Sequence, residues 1–343
     1  MKATRIGIDL AKRVFQAHGV DRDERPVLRR RLNRYSWIDD LVAAVAPGSE
    51  IGMEACTGAH HWARALQRYG FTVKLIAPQF VKPYVKGNKN DANDAEAICE
   101  AMSRKSMHFV AVKTIEQQDI QAMHRVRTQL VEARTAKANQ IRGLVAEYGL
   151  IAPKSLAQLR TALPVWLEDA GNGLTADFRW LLHDLWRDLQ VLDERIDVLS
   201  RKIELLARSN PVAKRLMQLR GVGPMTATAL LAMVGDGAQF ENGRQMSASL
   251  GITPGQHSSG GKERLLGITK RGNSYLRSLL IHGARAVLRQ AKTKDDRLSR
   301  WVTVLAQRRH PNVAAVALAN KTVRIAWAML RTGSDYEPAR ATG

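Results

Sequence analysis

The sequence predicts a mixed α/β N-terminal domain, a long-helix coiled-coil middle and a mainly α-helical C-terminal domain. Three observations predict it. Short apolar strand-like runs alternate with helical runs over residues 4–112. An apolar repeat of mean step 3.5 runs from Phe178 to Leu206. Positive charge is concentrated after residue 211. At 343 residues the chain exceeds what one hydrophobic core usually holds.

In the first region, TRIGIDL reads as a buried strand. VFQAHGV and PVLRRRL follow as a meander around the turn signal DRDERP. YSWIDDLVAAVA opens a helix and EIGMEA is a second buried strand. GAHHWARALQRYG is a helix ended by Gly70, FTVKLIAP a strand stopped by Pro78, and NDANDAEAICEAMSR a helix. The order β-β-β-α-β-α-β-α is that of an RNase H-like (RuvC-like) domain. We assign it to residues 1–112.

Residues 113–210 form the second region. One long helix is expected over 114–150, carrying Arg125, Arg127, Arg134, Lys137 and Arg142. A second is expected over about 175–208. Its apolar row, Phe178, Leu182, Leu185, Leu189, Leu192, Ile196, Leu199, Ile203 and Leu206, steps alternately by four and three, a coiled-coil seam. The same row could close a hairpin with the first long helix, and a dimer seam and a hairpin can coexist. Residues 211–335 are expected to be helical with glycine breaks, closed by a helix over Val313 to Leu330 and followed by a loose tail, 336–343.

Charge narrows the partners. The formal net is +21. Residues 1–112 hold 18 Lys/Arg against 12 Asp/Glu, residues 113–210 hold 14 against 13, and residues 211–343 hold 21 against 7. A field of that sign attracts nucleic acid. No run of about 18 apolar residues predicts a membrane span. The start MKATRIGIDLAKR lacks the apolar stretch of a signal peptide. Cys56 and Cys99 are too few for a disulfide framework. A cytoplasmic protein, nucleoid-associated when active, is expected.

Four carboxylates stand out. Asp9 ends the first strand and Glu54 the fourth, each in an otherwise apolar run. In this fold order the strands are parallel neighbours. Asp91 and Asp94, at i and i+3, share a helix face. Asp91 alone could also be a helix cap. Four converging acids repel unless a cation holds them, and hard oxygen ligands select Mg²⁺ or Mn²⁺. Glu96 and Glu100 lie nearby, with Glu96 off the Asp94 face.

LMQLRGVGPMTATALLAMVGD fits a helix-hairpin-helix. Gly221 and Gly223 would let backbone N–H groups approach a DNA phosphate, aided by the next helix N-terminus. QHSSGGKERLLGITKRGN is not a Walker loop. Gln256 stands where the first glycine is needed, and Glu263 where Ser or Thr is needed. What remains is a glycine-flexible loop presenting Ser258 and Ser259, followed by Lys262, Arg264, Lys270 and Arg271. Read alone it is a phosphate-binding loop or the site of a nucleophile.

These pieces together resemble the DEDD insertion-sequence transposases, whose elements encode a structured bridge RNA. IGIDLAK, GMEACTGAHHWA and KNDANDAEAI match the RuvC-like part. LRGVGPMTATALLAMVGD and LGITPGQHSSGGKERLLGITKRGNSYLR match the C-terminal transposase part. The resemblance implies that Asp9, Glu54, Asp91 and Asp94 bind the metal. It implies that a serine of QHSSGG attacks DNA and forms a covalent intermediate. It implies dimers and tetramers on the guide RNA and two DNAs, donor and target, with acids and serine from different subunits. RNA pairing would then choose the sites, as in other guided systems. Of the two serines Ser259 is the expected nucleophile, since Gly260 and Gly261 free the adjacent backbone to approach a phosphate. His257 would accept the proton or pack the loop. A junction-resolving endonuclease of RuvC type would need the acids but not the serine, and a non-catalytic scaffold would need neither.

Overall fold

A computed structural model of the chain describes residues 2–86 and 90–338. Residues 339–343 of the expected tail, and Lys89 of the KNDANDAEAI motif, lie outside them. The chain divides into two compact units, Met1–Ile115 with Ala238–Glu241, and Glu116–Gly237 with Asn242–Gly343.

The first unit is a six-stranded mixed sheet with helices. Its elements are β1 (Ala3–Leu10), β2 (Val14–Val20), β3 (Pro26–Asn33), α1 (Trp37–Ala44), β4 (Val45–Glu54), α2 (Ala59–Arg68), β5 (Thr72–Ile76), α3 (Pro78–Val81), a 3₁₀ turn (Lys82–Tyr84), α4 (Asp91–Met102) and β6 (Phe109–Val110). The strand order is β3-β2-β1-β4-β5-β6. β1 and β5 run parallel to β4, and the other pairs are antiparallel.

The two faces of the sheet differ. On one, Ile8, Phe15, Leu32, Ile51 and Met53 join Trp37, Leu41 and Leu66 in the main core. Phe15, Trp37 and Trp62 meet edge to face at 5.1–5.6 Å, the arrangement aromatic quadrupoles favour. The other face carries α4. Gly7 and Gly52 make that possible. A Cβ at Gly7 would sit 2.2 Å from the Ala95 carbonyl oxygen, and one at Gly52 would sit 2.1 Å from Met102 Sδ. Glycine inside a strand often marks such close approach.

The second unit contains α5 (Ile115–Ala146), α6 (Leu156–Glu168), α7 (Ala176–Ser209), α8 (Pro211–Leu216), α9 (Pro224–Val234), α10 (Gly243–Ser249), the hairpin β7 (Pro254–Gln256) and β8 (Leu265–Ile268), α11 (Ser274–Ala291), α12 (Arg297–Arg308) and α13 (Pro311–Thr332). The row on α7 is largely internal. Phe178, Leu182, Leu185 and Leu189 pack with Ala138, Ile141 and Val145 of α5 and with Leu159 and Leu163 of α6. Three of the basic residues of α5 reach across to α7, while Arg125 is exposed. Arg134 reaches Asp193 at 3.1 Å, Lys137 reaches Asp188 at 2.9 Å, and Arg127 donates to Ser200 Oγ at 2.8 Å. Helix α13 is long and apolar enough to cross a membrane by length and composition. Here Ala315, Leu318, Ala319, Val323 and Ala326 are buried in the unit. The expected loose tail is held at its start: Gln218 receives the Tyr336 N–H at 2.7 Å and donates to Asp335 at 3.0 Å.

His124 ties three helices together. Its ring nitrogens lie 2.8 Å from Tyr275 Oη on α11 and 2.9 Å from Thr228 Oγ1 on α9. Burial, and then the charge of Arg127, lower its pKa to about 4. The unfolded chain takes up this proton near pH 6.5 and the folded chain only near pH 4, so acidification through that window favours unfolding. We expect roughly 3 kcal/mol of stability to be lost from this group between pH 7 and pH 4, at 1.36 kcal/mol per pKa unit. Urea melts of wild type and His124→Gln check it. Equal losses in both proteins would exclude His124 as the source.

Candidate functional site

The acids converge because of the sheet register. Ile8 pairs with Met53 across the parallel β1–β4 ladder. Asp9 and Glu54 follow one residue later at the ends of neighbouring strands. Side chains alternate along a strand, so Asp9 shares the face of Gly7 and Glu54 the face of Gly52, where α4 lies. Asn90 caps α4, accepting the Ala92 N–H at 3.0 Å. Asp91 is therefore the first helical residue and not the cap. Asp91 and Asp94 occupy the first turn, where the helix dipole favours carboxylates.

One oxygen each of Asp9, Asp91 and Asp94 lies within 4.8 Å of the others. Two oxygens on opposite sides of a Mg²⁺ at about 2.1 Å stand about 4.2 Å apart, so small side-chain movements complete the fit. The donors are all hard carboxylates, the set that suits such a cation. Glu54 lies outside that trio, on the adjacent strand end. The half-buried Cys56 thiol reports both strand acids: burial, then the charges of Glu54 and Asp9, raise its pKa. The neighbouring acids are engaged elsewhere. Glu96 meets Arg29 at 3.5 Å, and Glu100 meets Lys86 at 3.0 Å. Gly7, Gly52 and Cys56 were not singled out from sequence. Glycines inside two apolar strands were the available signal.

The serine segment is a β-hairpin, not the flexible loop expected. β7 and β8 pair antiparallel, and the ladder continues through His257 N–H to Arg264 O at 3.0 Å and a Ser259–Lys262 bridge. Gly260 and Gly261 have φ of +56° and +77°, and Lys262 N–H reaches Ser259 O at 3.1 Å. A two-residue hairpin turn with both φ positive selects glycine. This is the local reason for the Gly-Gly. Ser258 Oγ receives Gln256 Nε2–H at 2.9 Å and the Arg264 N–H at 3.3 Å. Among the described residues Ser259 Oγ has no hydrogen-bond partner, and Ser259 is exposed. Lys262, Arg264, Lys270 and Arg271 are exposed as well. At the root, a Cβ at Gly251 would lie 2.2 Å from Arg271 O, and one at Gly272 would lie 1.8 Å from Ser249 O. Arg277 staples this root, donating to Leu250 O and Arg271 O at 3.0 Å.

The GVG turn links α8 and α9, and its glycines differ. Gly221 has φ +84°, and a Cβ there would lie 2.8 Å from Gly283 O on α11. Internal packing thus accounts for Gly221. Gly223 caps α9 in extended conformation, is exposed, and would accommodate a Cβ with nothing within 4 Å.

Comparison with known proteins places these sites in one context. Residues 6–150 match a family described as "Transposase" of the DEDD IS110 type, and residues 213–299 match "Transposase IS116/IS110/IS902 family". The chain is 52% identical to a "Probable family 20 transposase" of Pseudomonas aeruginosa, over 98% of this chain and 100% of that one. It is 47% identical to the "Transposase for insertion sequence element IS1111A" of Coxiella burnetii, over 96% and 90%. It is 40% identical to the "Transposase for insertion sequence element IS1328" of Yersinia enterocolitica, over 97% and 98%. DNA is the substance on which transposases act, and a DEDD family implies divalent metal. With matched segments that contain both the acid cluster and the serine hairpin, the chain belongs to the IS110-type, DEDD family of insertion-sequence transposases.

Proposed function

We propose that this transposase exchanges DNA strands through a covalent serine–DNA intermediate, with donor and target chosen by a structured bridge RNA. The observation that carries the reading is the meeting of Asp9, Asp91 and Asp94 oxygens within 4.8 Å in a chain of this family. Asp9, Glu54, Asp91 and Asp94 would hold Mg²⁺ or Mn²⁺. The cation supplies charge stabilisation at the reacting phosphate and leaving oxygen.

Ser259 Oγ attacks the phosphorus. An Oγ–P bond forms and the bond from phosphorus to a deoxyribose oxygen breaks. The serine proton departs, and the released oxygen takes up a proton. The phosphodiester is conserved in the serine link, so a hydroxyl of a second DNA end can reverse the step on a new partner. Lys262, Arg264, Lys270 and Arg271 would hold flanking phosphates.

The strand order supports an RNase H-like assignment of the first unit. The row on α7 that stays open to a second subunit is Val191, Val198 and Leu205, exposed at 51%, 60% and 67% in steps of seven. A coiled-coil dimer, and tetramers on two DNAs, would use this row while the buried one closes the hairpin with α5. Acids and serine would come from different subunits.

The α8–α9 turn would act as a helix-hairpin-helix on DNA, with Gly223 at the phosphate. Gly223→Val should weaken DNA binding severalfold and leave the melting temperature unchanged. Gly221→Ala should lower stability by about 2 kcal/mol, since alanine at positive φ is strained. Filter binding with thermal melts separates the two, and unchanged DNA affinity in Gly223→Val would remove the turn from the interface.

Recombination between donor and target plasmids, with Mg²⁺ and the RNA flanking the gene, tests the whole. Joined products that change site with the guide sequence support the reading. RNA-independent products overturn guidance.

A further inference from the structure

Beside the acids lies a second feature that the proposed chemistry does not use. Arg31 pairs with Gln16 across β3–β2, and Gln16 pairs with Asp9 across β2–β1. Residues paired across adjacent strands point to the same face. Arg31, Gln16 and Asp9 therefore form one row on the α4 face. At about 4.8 Å per strand, Arg31 stands about 10 Å from Asp9 along the sheet. A cavity of 210 Å³ opens at the outer end of this row, between Gln16 and Arg31 on the sheet and Asn93 and Glu96 of α4. β3 is the edge strand, so the cavity lies at the rim of the unit, and its innermost row member, Gln16, is the strand neighbour of Asp9.

The charges in it are unequal. Arg29, two residues along the same face, is matched by Glu96 at 3.5 Å. Among the described residues Arg31 has no carboxylate within ion-pair distance, and it is exposed. An acid cluster repels a nucleic-acid strand until cations hold it. An unpaired guanidinium two strands along the same row supplies attraction with a fixed direction. Guanidinium also matches a phosphate with two parallel hydrogen bonds.

We propose that Arg31, with the Gln16 amide, binds a backbone phosphate of the DNA strand being cut, one or two phosphates from the one at the acids. The site positions the strand and takes no part in bond making. It rests on the proposed role of Asp9, Asp91 and Asp94 in holding metal at the reacting phosphate.

The experiment uses the full-length protein and donor DNA carrying a single methylphosphonate, moved outward one phosphate at a time from the cut. In wild type, one position near the cut should reduce strand exchange about tenfold, the size of a lost charge-assisted hydrogen bond. Arg31→Ala should raise KM for DNA about tenfold with kcat nearly kept, and should become indifferent to the charge at that position. Arg31→Lys should restore part of the affinity. A structural defect would not erase sensitivity at one phosphate.

If Arg31→Ala stays as sensitive as wild type at every position, or keeps its KM, the proposal falls. Asp9→Ala separates this from the metal reading, because its normal activity would remove the acids while leaving the phosphate contact measurable. That contact is read by anisotropy with 20-nucleotide DNA and RNA probes, where Arg31→Ala should lower the salt slope for DNA by about one. A change confined to the RNA probe would overturn the assignment to the DNA strand.

Discussion

Asp9→Ala should abolish strand exchange, by on the order of a thousandfold or more, while binding to DNA and RNA is retained. Asp9 is the sheet-borne member of the carboxylate trio, and its loss leaves of that trio only Asp91 and Asp94, on one helix turn. Affinity should survive because residues 211–343 carry 21 Lys/Arg against 7 Asp/Glu, and removing an acid reduces repulsion. Glu54→Ala should behave in the same way. It tests whether the strand end outside the trio completes the set. Near-normal exchange in Mg²⁺ by Asp9→Ala refutes the metal site. Loss in Asp9→Ala with full activity in Glu54→Ala reduces the set to three.

The second large effect is expected at the hairpin tip. Ser259→Ala should bind DNA and RNA, assemble, and give no protein–DNA adduct on a denaturing gel. Ser258→Ala should keep measurable activity. The assignment has a structural basis. Ser258 Oγ is occupied by Gln256 and the Arg264 N–H, so it braces the ladder, and its loss costs about 1 kcal/mol locally. Ser259 Oγ has no such partner among the described residues, and it adjoins the turn. An adduct that persists in Ser259→Ala and vanishes in Ser258→Ala reverses the roles. One that survives the double variant removes the hairpin from the chemistry, and adduct-free cutting would fit a junction-resolving endonuclease.

Much of the first unit was legible in the sequence because its strands are apolar and bounded by turn residues. TRIGIDL, VFQAHGV, PVLRRRL and FTVKLIAP all fall within a residue or two of observed strands. β6 has two residues, paired with Leu75 and Ile76 of β5, too short for a period. α6 was hidden by Pro164 in its interior. The β7–β8 hairpin was hidden because Leu265 and Leu266 are both exposed, at 64% and 51%, so no alternation marks a buried face. The row on α7 showed its period but not its partner, since an apolar repeat is the same whether the facing helix is in the chain or in another. Among the acids, strand ends and helix spacing were readable. The alignment of Gln16 and Arg31 with Asp9 depends on register, which lies in pairing between strands and not in any one stretch.

The clasp of Gly251 and Gly272 has a mechanical consequence. Ser259 at the tip is six residue steps from Thr253 at the root, so at about 3.3 Å per step the hairpin is a lever roughly 20 Å long. A rotation of about 10° at its fulcrum would swing the serine by about 3.5 Å, longer than a hydrogen bond. Aim is therefore governed at the far end, where Arg277 and the two glycines fix the angle at which the lever leaves the body. The residues that most strictly limit where this hydroxyl can point are those most distant from it.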